Sequence, residues 1–196
     1  YTITNGLTDD TSTSSTLPNS GAVFVYRKNG TNWSQEAYVK AANADSGDQL
    51  GWSVSLSGDT MAVGANFEGS SQTTITTGTL ITSNNDAAAS GAVYVFSRIG
   101  TTWSADAYIK AANADANDQF GSSVALHGSS LAVGAIAEDS SETTITNGTN
   151  ASSNNEASLS GAVYVYRKTA GQWSQEAYVK AANANANAKF GFSVAL

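Results

Sequence analysis

The stretch "SQEAYVKAANA", Ser34 to Ala44, returns letter for letter at Ser174 to Ala184, and a near copy, "SADAYIKAANA", fills Ser104 to Ala114. The spacing is rigid. "SGAV" begins at Ser20, Ser90 and Ser160, and a tryptophan stands at Trp33, Trp103 and Trp173, so the period is 70 residues. From Ser20 onward the copies run without insertion or deletion. Upstream, "TITNG" at Thr2 to Gly6 matches "TITTG" at Thr74 to Gly78 and "TITNG" at Thr144 to Gly148, and the first connection is two residues longer than its later copies. A fixed period of this kind marks a repeat architecture, in which each unit buries its apolar surface against the next.

Each period holds four short apolar segments between turn signals: in the later copy Ser123 to Leu126, Leu131 to Ala135, Ala162 to Tyr166 and Glu176 to Ala181. Their lengths suit strands, and Val, Tyr, Phe and Ile pack well on a pleated surface. The first pair is joined by "HGSS" (His127 to Ser130) or "SGDT" (Ser57 to Thr60), a short glycine-containing connection that predicts a hairpin. The second pair is joined through "RKNGTNW" (Arg27 to Trp33), "SRIGTTW" (Ser97 to Trp103) and "RKTAGQW" (Arg167 to Trp173), which predicts another. Between the hairpins run long polar connections, Asn66 to Ser90 and Ile136 to Ser160, read as surface loops on one face.

In "AVYVF", Ala92 to Phe96, Val93 and Val95 point to one side of the sheet while Ala92, Tyr94 and Phe96 point to the other. Both sides are apolar, so each four-stranded antiparallel sheet needs a neighbour on either side. Stacked sheets of that kind are the blades of a β-propeller. A β-sandwich would also bury such strands, but it has no need of a fixed period. The expected fold is all-β, with Val93, Val95, Val124, Val133, Val163 and Val165 buried between blades. Residues 1–49 end one repeat, 50–119 and 120–189 form full blades, and 190–196 open the next.

"FGSSVALHGSSLAVGA" (Phe120 to Ala135), followed by "GAVYVY" (Gly161 to Tyr166) and "WSQEAYVKAANA" (Trp173 to Ala184), resembles the FG-GAP repeat, the blade unit of bacterial integrin-like proteins and of the integrin α-subunit propeller. The resemblance covers nearly the whole chain. It implies a propeller, commonly seven-bladed, in a secreted or surface-exposed bacterial protein. Two departures stand out: Asn66 and Ile136 replace the proline of the motif, and the first copy reads Leu50-Gly51 in place of Phe-Gly.

Composition excludes several functions. The formal net charge of -7 repels phosphate backbones, so nucleic acid is not an expected partner. No apolar run approaches a membrane span. Without cysteine there is no disulfide framework, thiolate zinc site or thiol nucleophile, and His127 is the single histidine, a solvated turn residue. No Ser-His-Asp set or paired carboxylates stand apart from the repeat, so an enzyme is not expected. Glu36, Asp106 and Glu176 recur once per period, as structural or solubilising positions do. Trp33, Trp103 and Trp173, in three equivalent copies, suit packing at hairpin edges better than sugar stacking.

The candidate metal ligands are Asp45 with Asp48 in "NADSGDQ" and Asp115 with Asp118 in "NADANDQ". Calcium needs six to eight oxygens, usually from closely spaced acids. The third copy, "NANANAK", has lost every acid, so turn capping by these side chains is the preferred reading and no cofactor is required for folding. Glu68, Glu138 and Asp139 in the long loops form a weaker candidate set. The resemblance to integrin propellers places calcium between the first two strands of a blade, where "SGDT" and "HGSS" are too short and too poor in carboxylate. Glycosylation patterns occur at Asn29, Asn32, Asn147 and Asn150, and "TSTSST" (Thr11 to Thr16) could accept O-linked sugars.

These readings converge on an extracellular or cell-surface structural and adhesion module that contacts proteins, matrix or glycans. A carbohydrate-binding, lectin-like propeller is the alternative. It wants an exposed aromatic platform, and the long loops carry only Phe67 as an apolar ring. The strand count gives two full blades, a half blade before them and a single strand at Ser193 to Leu196 after them. Such a set leaves apolar faces open, and the expectation is that further blades of a longer chain, or neighbouring copies, cover them.

Overall fold

A computed structural model describes residues 2–5, 17–78, 81 and 83–196, and the described residues form strands, turns and loops with no helix. Accordingly, no helix among them is long and apolar enough to cross a membrane. The Thr11 to Thr16 stretch lies outside the described residues.

Three antiparallel sheets follow one another as propeller-like blades. The first contains β1 (Thr2–Asn5), β2 (Val23–Asn29) and β3 (Asn32–Lys40), in the order β1-β3-β2. The second contains β4 (Ser53–Ser57), β5 (Thr60–Ala65), β6 (Ile75–Thr77), β7 (Ala92–Ile99) and β8 (Thr102–Ile109), in the order β4-β5-β7-β8-β6. The third repeats it with β9 (Phe120–His127), β10 (Ser130–Ala135), β11 (Ile145–Asn147), β12 (Ala162–Thr169) and β13 (Gln172–Val179). The hairpins fall where the sequence places them. Their two-residue tips use Gly30, Gly58, Gly100 and Gly128 at φ near 60°, the left-handed value that glycine adopts without strain.

Two expectations change. Each full blade has five strands instead of four, because the "TIT" of the long connection does not stay a loop. Ile75–Thr77 pairs with Ile109–Ala107, and Ile145–Asn147 with Val179–Ala177, so part of an outer edge that would expose unpaired N–H and C=O groups is covered. Conversely, Ser193 to Leu196 form no strand. The equivalent segment of β9, Ser123 to Leu126, is held in the ladder by Leu131 to Gly134 of β10.

The blades differ in their two sides, and this governs packing. One side of the second blade carries Met61, Val63, Tyr94, Phe96, Trp103 and Tyr108, and packs on Val23, Val25, Ala37 and Val39 of the first. Its other side carries Ala62, Val93, Val95 and Ile109, and packs on Leu131, Val133, Tyr164, Tyr166 and Tyr178 of the third. Each seam thus sets a thin Val/Ala face against a thick aromatic one, the interdigitation that fills a core without voids. Val93, Val95 and Val133 are fully buried as expected. Val124, Val163 and Val165 are only partly buried: Val163 and Val165 lie on the outer face of the third blade, which no further sheet among the described residues covers.

At the inner edge the chain passes between blades through close backbone contact. Gly91 bridges Phe120 in parallel, and a Cβ on Gly91 would stand 2.0 Å from the Phe120 carbonyl oxygen. Gly64 meets Gly121 in the same way, at 2.0 Å from its carbonyl. Gly64 needs glycine for space, and Gly91 and Gly121, at φ of 83° and 85°, need it for space and for conformation. Leu50, in place of the phenylalanine, is buried like Phe120, so that departure from the motif leaves the core intact.

Candidate functional site: the seams between blades

The recurring acid on the outer hairpin acquires its role from a β-bulge. Val25 pairs with Ala37 and Tyr26 with Gln35, which leaves Glu36 as the extra residue; Asp106 and Glu176 occupy the same bulge in the later hairpins. A bulge re-aims a side chain. Here Glu36 turns into the seam and is buried. It accepts the Trp103 indole N–H at 2.9 Å and Arg98 Nη1 at 2.9 Å from the next blade, and Arg27 of its own blade also donates to it. Asp106 does the same one blade on, with Trp173 Nε1 at 3.1 Å and Lys168 Nζ at 2.6 Å. Burial alone would raise the Glu36 carboxyl, but the donors Arg27, Arg98 and Trp103 outweigh it and hold the group at about 2. Glu36 is therefore a latch between blades and not a solubilising residue.

A second recurring set lies inside each full blade. Lys110 Nζ donates to Glu68 Oε2 at 2.9 Å and to Ser90 Oγ at 2.7 Å, with both ions removed from solvent. Glu68 also takes the Ser70 N–H at 3.2 Å and the Asn43 amide at 2.9 Å, while the Tyr94 hydroxyl donates to Asn43 Oδ1 at 2.7 Å. The third blade repeats the network: Lys180 donates to Glu138 at 2.6 Å and to Ser160 at 2.7 Å, Tyr178 donates to Glu138 at 2.7 Å, and Tyr164 to Asn113 at 2.6 Å. Burial pushes the Lys110 ammonium down, against the pull of Glu68. The network ties the long loop, through Glu68 or Glu138, to the outer strand and to the linker from the preceding blade. Glu68 and Glu138, weak metal candidates in the sequence, are engaged by lysine.

The four candidate aspartates fall into two equivalent turns. Asp48 Oδ2 accepts the Asp45 N–H at 2.7 Å, and Asp118 Oδ2 accepts the Asp115 N–H at 3.0 Å. The outer acid of each turn is met by a long-loop amide: Asn85 donates to Asp45 at 2.9 Å and Asn155 to Asp115 at 3.2 Å. Asp48 and Asp118 are buried, and burial pushes them up to about 6 and about 8 respectively, against the turn hydrogen bond. No group of three or more His, Cys, Asp or Glu side chains placed to hold a metal ion occurs among the described residues.

The glycosylation candidates Asn29 and Asn32 flank the first hairpin tip, and Asn147 and Asn150 lie at and just beyond the end of β11; all four are exposed. Asn147 stands in the register position of Asn5, whose side chain joins the first seam. His127 is exposed at its turn. Sequence reasoning missed the bulge acids and the buried lysines as partners. Their signal was there, since Lys40, Lys110 and Lys180 recur at the period and Glu68 and Glu138 recur with them.

In comparison with known families, the FG-GAP repeat matches the chain at residues 33–96 and again at 103–166. No curated protein matches the chain.

Proposed function

Because the chain belongs to the FG-GAP repeat family, its two matched repeats covering well over half of its length, we propose that it is a structural and adhesion module of the bacterial cell surface or exterior. FG-GAP repeats occur in integrin-like propeller domains that mediate protein interactions, and they are typically extracellular. The module acts without catalysis and without a required cofactor, and its long loops meet other proteins or matrix.

One observation carries this reading: most of the charged and aromatic residues that recur with the period are engaged in the frame itself, between blades or within them. Glu36 and Asp106 are bound to the tryptophans, and Glu68 and Glu138 to the buried lysines. The outward features that remain are polar loops on a rigid frame. The carbohydrate-binding alternative is less favoured because Trp103 and Trp173 are buried with their indole N–H groups engaged, leaving Phe67 as the exposed aromatic of the long loops.

The outer faces form a second contact surface. Phe24, Tyr26 and Trp33 are exposed on one flank, and Val163 and Val165 are partly exposed on the other. These are the two unlike faces that the interior seams join, so further blades or a second copy fit them. Two measurements test the proposal. Immobilised protein should bind at least one matrix or surface protein saturably, and lose that binding when the exposed loop residues Asn150, Ser153 and Glu156 are replaced by alanine, which leaves Glu138 paired with Lys180. Binding confined to a glycan array would put the lectin reading in its place.

A further inference from the structure

The two seams are built from the same positions, yet they are filled differently. In the first, Asn5 at the end of β1 reaches the next blade: its Oδ1 accepts the Trp103 N–H at 2.9 Å and its Nδ2 donates to the Trp103 carbonyl at 3.3 Å. Residue 103 is free for this because the hairpin closes at Ile99 opposite Thr102. Alternate pairs of an antiparallel ladder are not hydrogen-bonded, so the polar groups of Trp103, opposite Arg98, face the outer edge. A carboxamide, with one donor and one acceptor side by side, matches that edge.

In the second seam the edge is the same and the amide is gone. Trp173 lies opposite Lys168 in the identical register, but the position of Asn5 is held by Thr77, opposite Ala107 as Asn5 is opposite Ala37. The Thr77 hydroxyl donates to Gln172 Oε1 at 3.2 Å, and no side chain among the described residues takes the Trp173 N–H or C=O. Ile81, packed on the first seam, becomes Ala151, and Phe96 becomes Tyr166. A cavity of about 250 Å³ opens beside Trp173, with Ile75, Ala112, Thr149, Tyr166, Gln175 and the Glu68-paired Lys110 among its walls. Tyr166 is 1% exposed, and its hydroxyl has no hydrogen-bond partner. An unsatisfied buried hydroxyl is costly, and native structures rarely keep one without a reason.

We propose that this cavity is a binding site for a primary carboxamide, either a small free amide or the glutamine or asparagine side chain of a partner polypeptide. The amide takes the place in the second seam that Asn5 fills in the first, pairing with the Trp173 N–H and C=O. Its alkyl part lies against Ile75 and Ala112, and the Tyr166 hydroxyl gains a partner. The volume suits one side chain and is below that of a drug-sized pocket.

The test is an NMR titration of the whole chain with butyramide, and in parallel with butyrate, which cannot donate to the Trp173 carbonyl and must bury a charge. The Trp173 amide should shift saturably with butyramide, with butyrate at least about tenfold weaker. Thr77→Asn supplies the missing amide from within, and Ala112→Leu, at a wall of the cavity, fills the space, so each should abolish the response. Equal binding of butyrate, or an unchanged butyramide titration in both variants, would overturn the proposal. A glutamine-containing peptide that binds more tightly than butyramide, while its glutamate counterpart does not, identifies the source as a polypeptide; equal affinity of peptide and butyramide identifies it as a small amide.

Discussion

Trp33 and Trp103 occupy the same place in the same hairpin, followed by the same serine, yet Trp33 is 66% exposed and Trp103 is 2% exposed. The difference is one blade. Trp103 is covered by the preceding sheet and its indole N–H is held by Glu36, whereas Trp33 has no such sheet beside it among the described residues and makes a loose contact with Lys28, 6.0 Å from the ring centre. Lys40 and Lys110 form a parallel case. Lys110 is buried against Glu68, while Lys40, among the described residues, donates to the neutral Ser20 Oγ and Gly21 C=O, at 2.7 and 2.6 Å. A repeat position therefore has no fixed energetic value; its neighbours assign it.

The largest effect should come from Trp103→Ala. It removes a buried aromatic and strips a donor from buried Glu36, so a loss of about 5 kcal/mol is expected, against less than about 0.5 kcal/mol for Trp33→Ala. Urea melts of the two variants measure this, and equal losses would break the comparison. Next comes Lys110→Met, which leaves Glu68 buried without its counter-ion, at about 3 kcal/mol, whereas Lys40→Met strands no buried carboxylate and should lose under about 1 kcal/mol. The double variant Lys110→Met with Glu68→Leu should recover much of the loss, since two matched apolar groups avoid the stranded charge.

A smaller effect follows from pH. Between its ordinary value of 3.8 and about 8, folded Asp118 keeps a proton that the unfolded chain has given up, so its contribution to stability falls as pH rises through that window. The acids facing it are Glu138, Asp115 and Asp139. Asp118→Asn should raise the melting temperature at pH 9 and change little near pH 4; a pH slope identical to the parent's would contradict the assignment. The latch runs the other way, because Glu36 is depressed from 4.5 to about 2, so its stabilisation is present above pH 4.5 and lost as pH falls through about 2. Smallest is the effect of chelation. EDTA should leave the melting temperature unchanged, because the aspartate turns bind their own backbone N–H groups and the third copy has Asn185 and Ala188 at their places.

Much of this was legible in the sequence. The hairpins at Gly58 and Gly128 follow from a glycine between two apolar runs, and the stacking of blades follows from strands apolar on both sides. The outermost strands at Ile75 and Ile145 were not legible, because three residues in a polar tract carry no periodicity and pair only once a neighbouring edge exists. The bulge at Glu36 was equally hidden: the same letters would fit an unbroken ladder in which Glu36 faces away.

The sequence by itself determined the repeat, its length and the blade as the unit, because self-similarity and alternation are local and survive without coordinates. Tertiary structure alone decided which copy of each repeated residue is buried, which acid meets which tryptophan, and that the second seam stays open where the first is closed by Asn5. Those outcomes depend on contacts between residues nearly a full period apart, as with Glu36 and Trp103. There the sequence names a recurring position, and the residues it meets across the seam decide what it does.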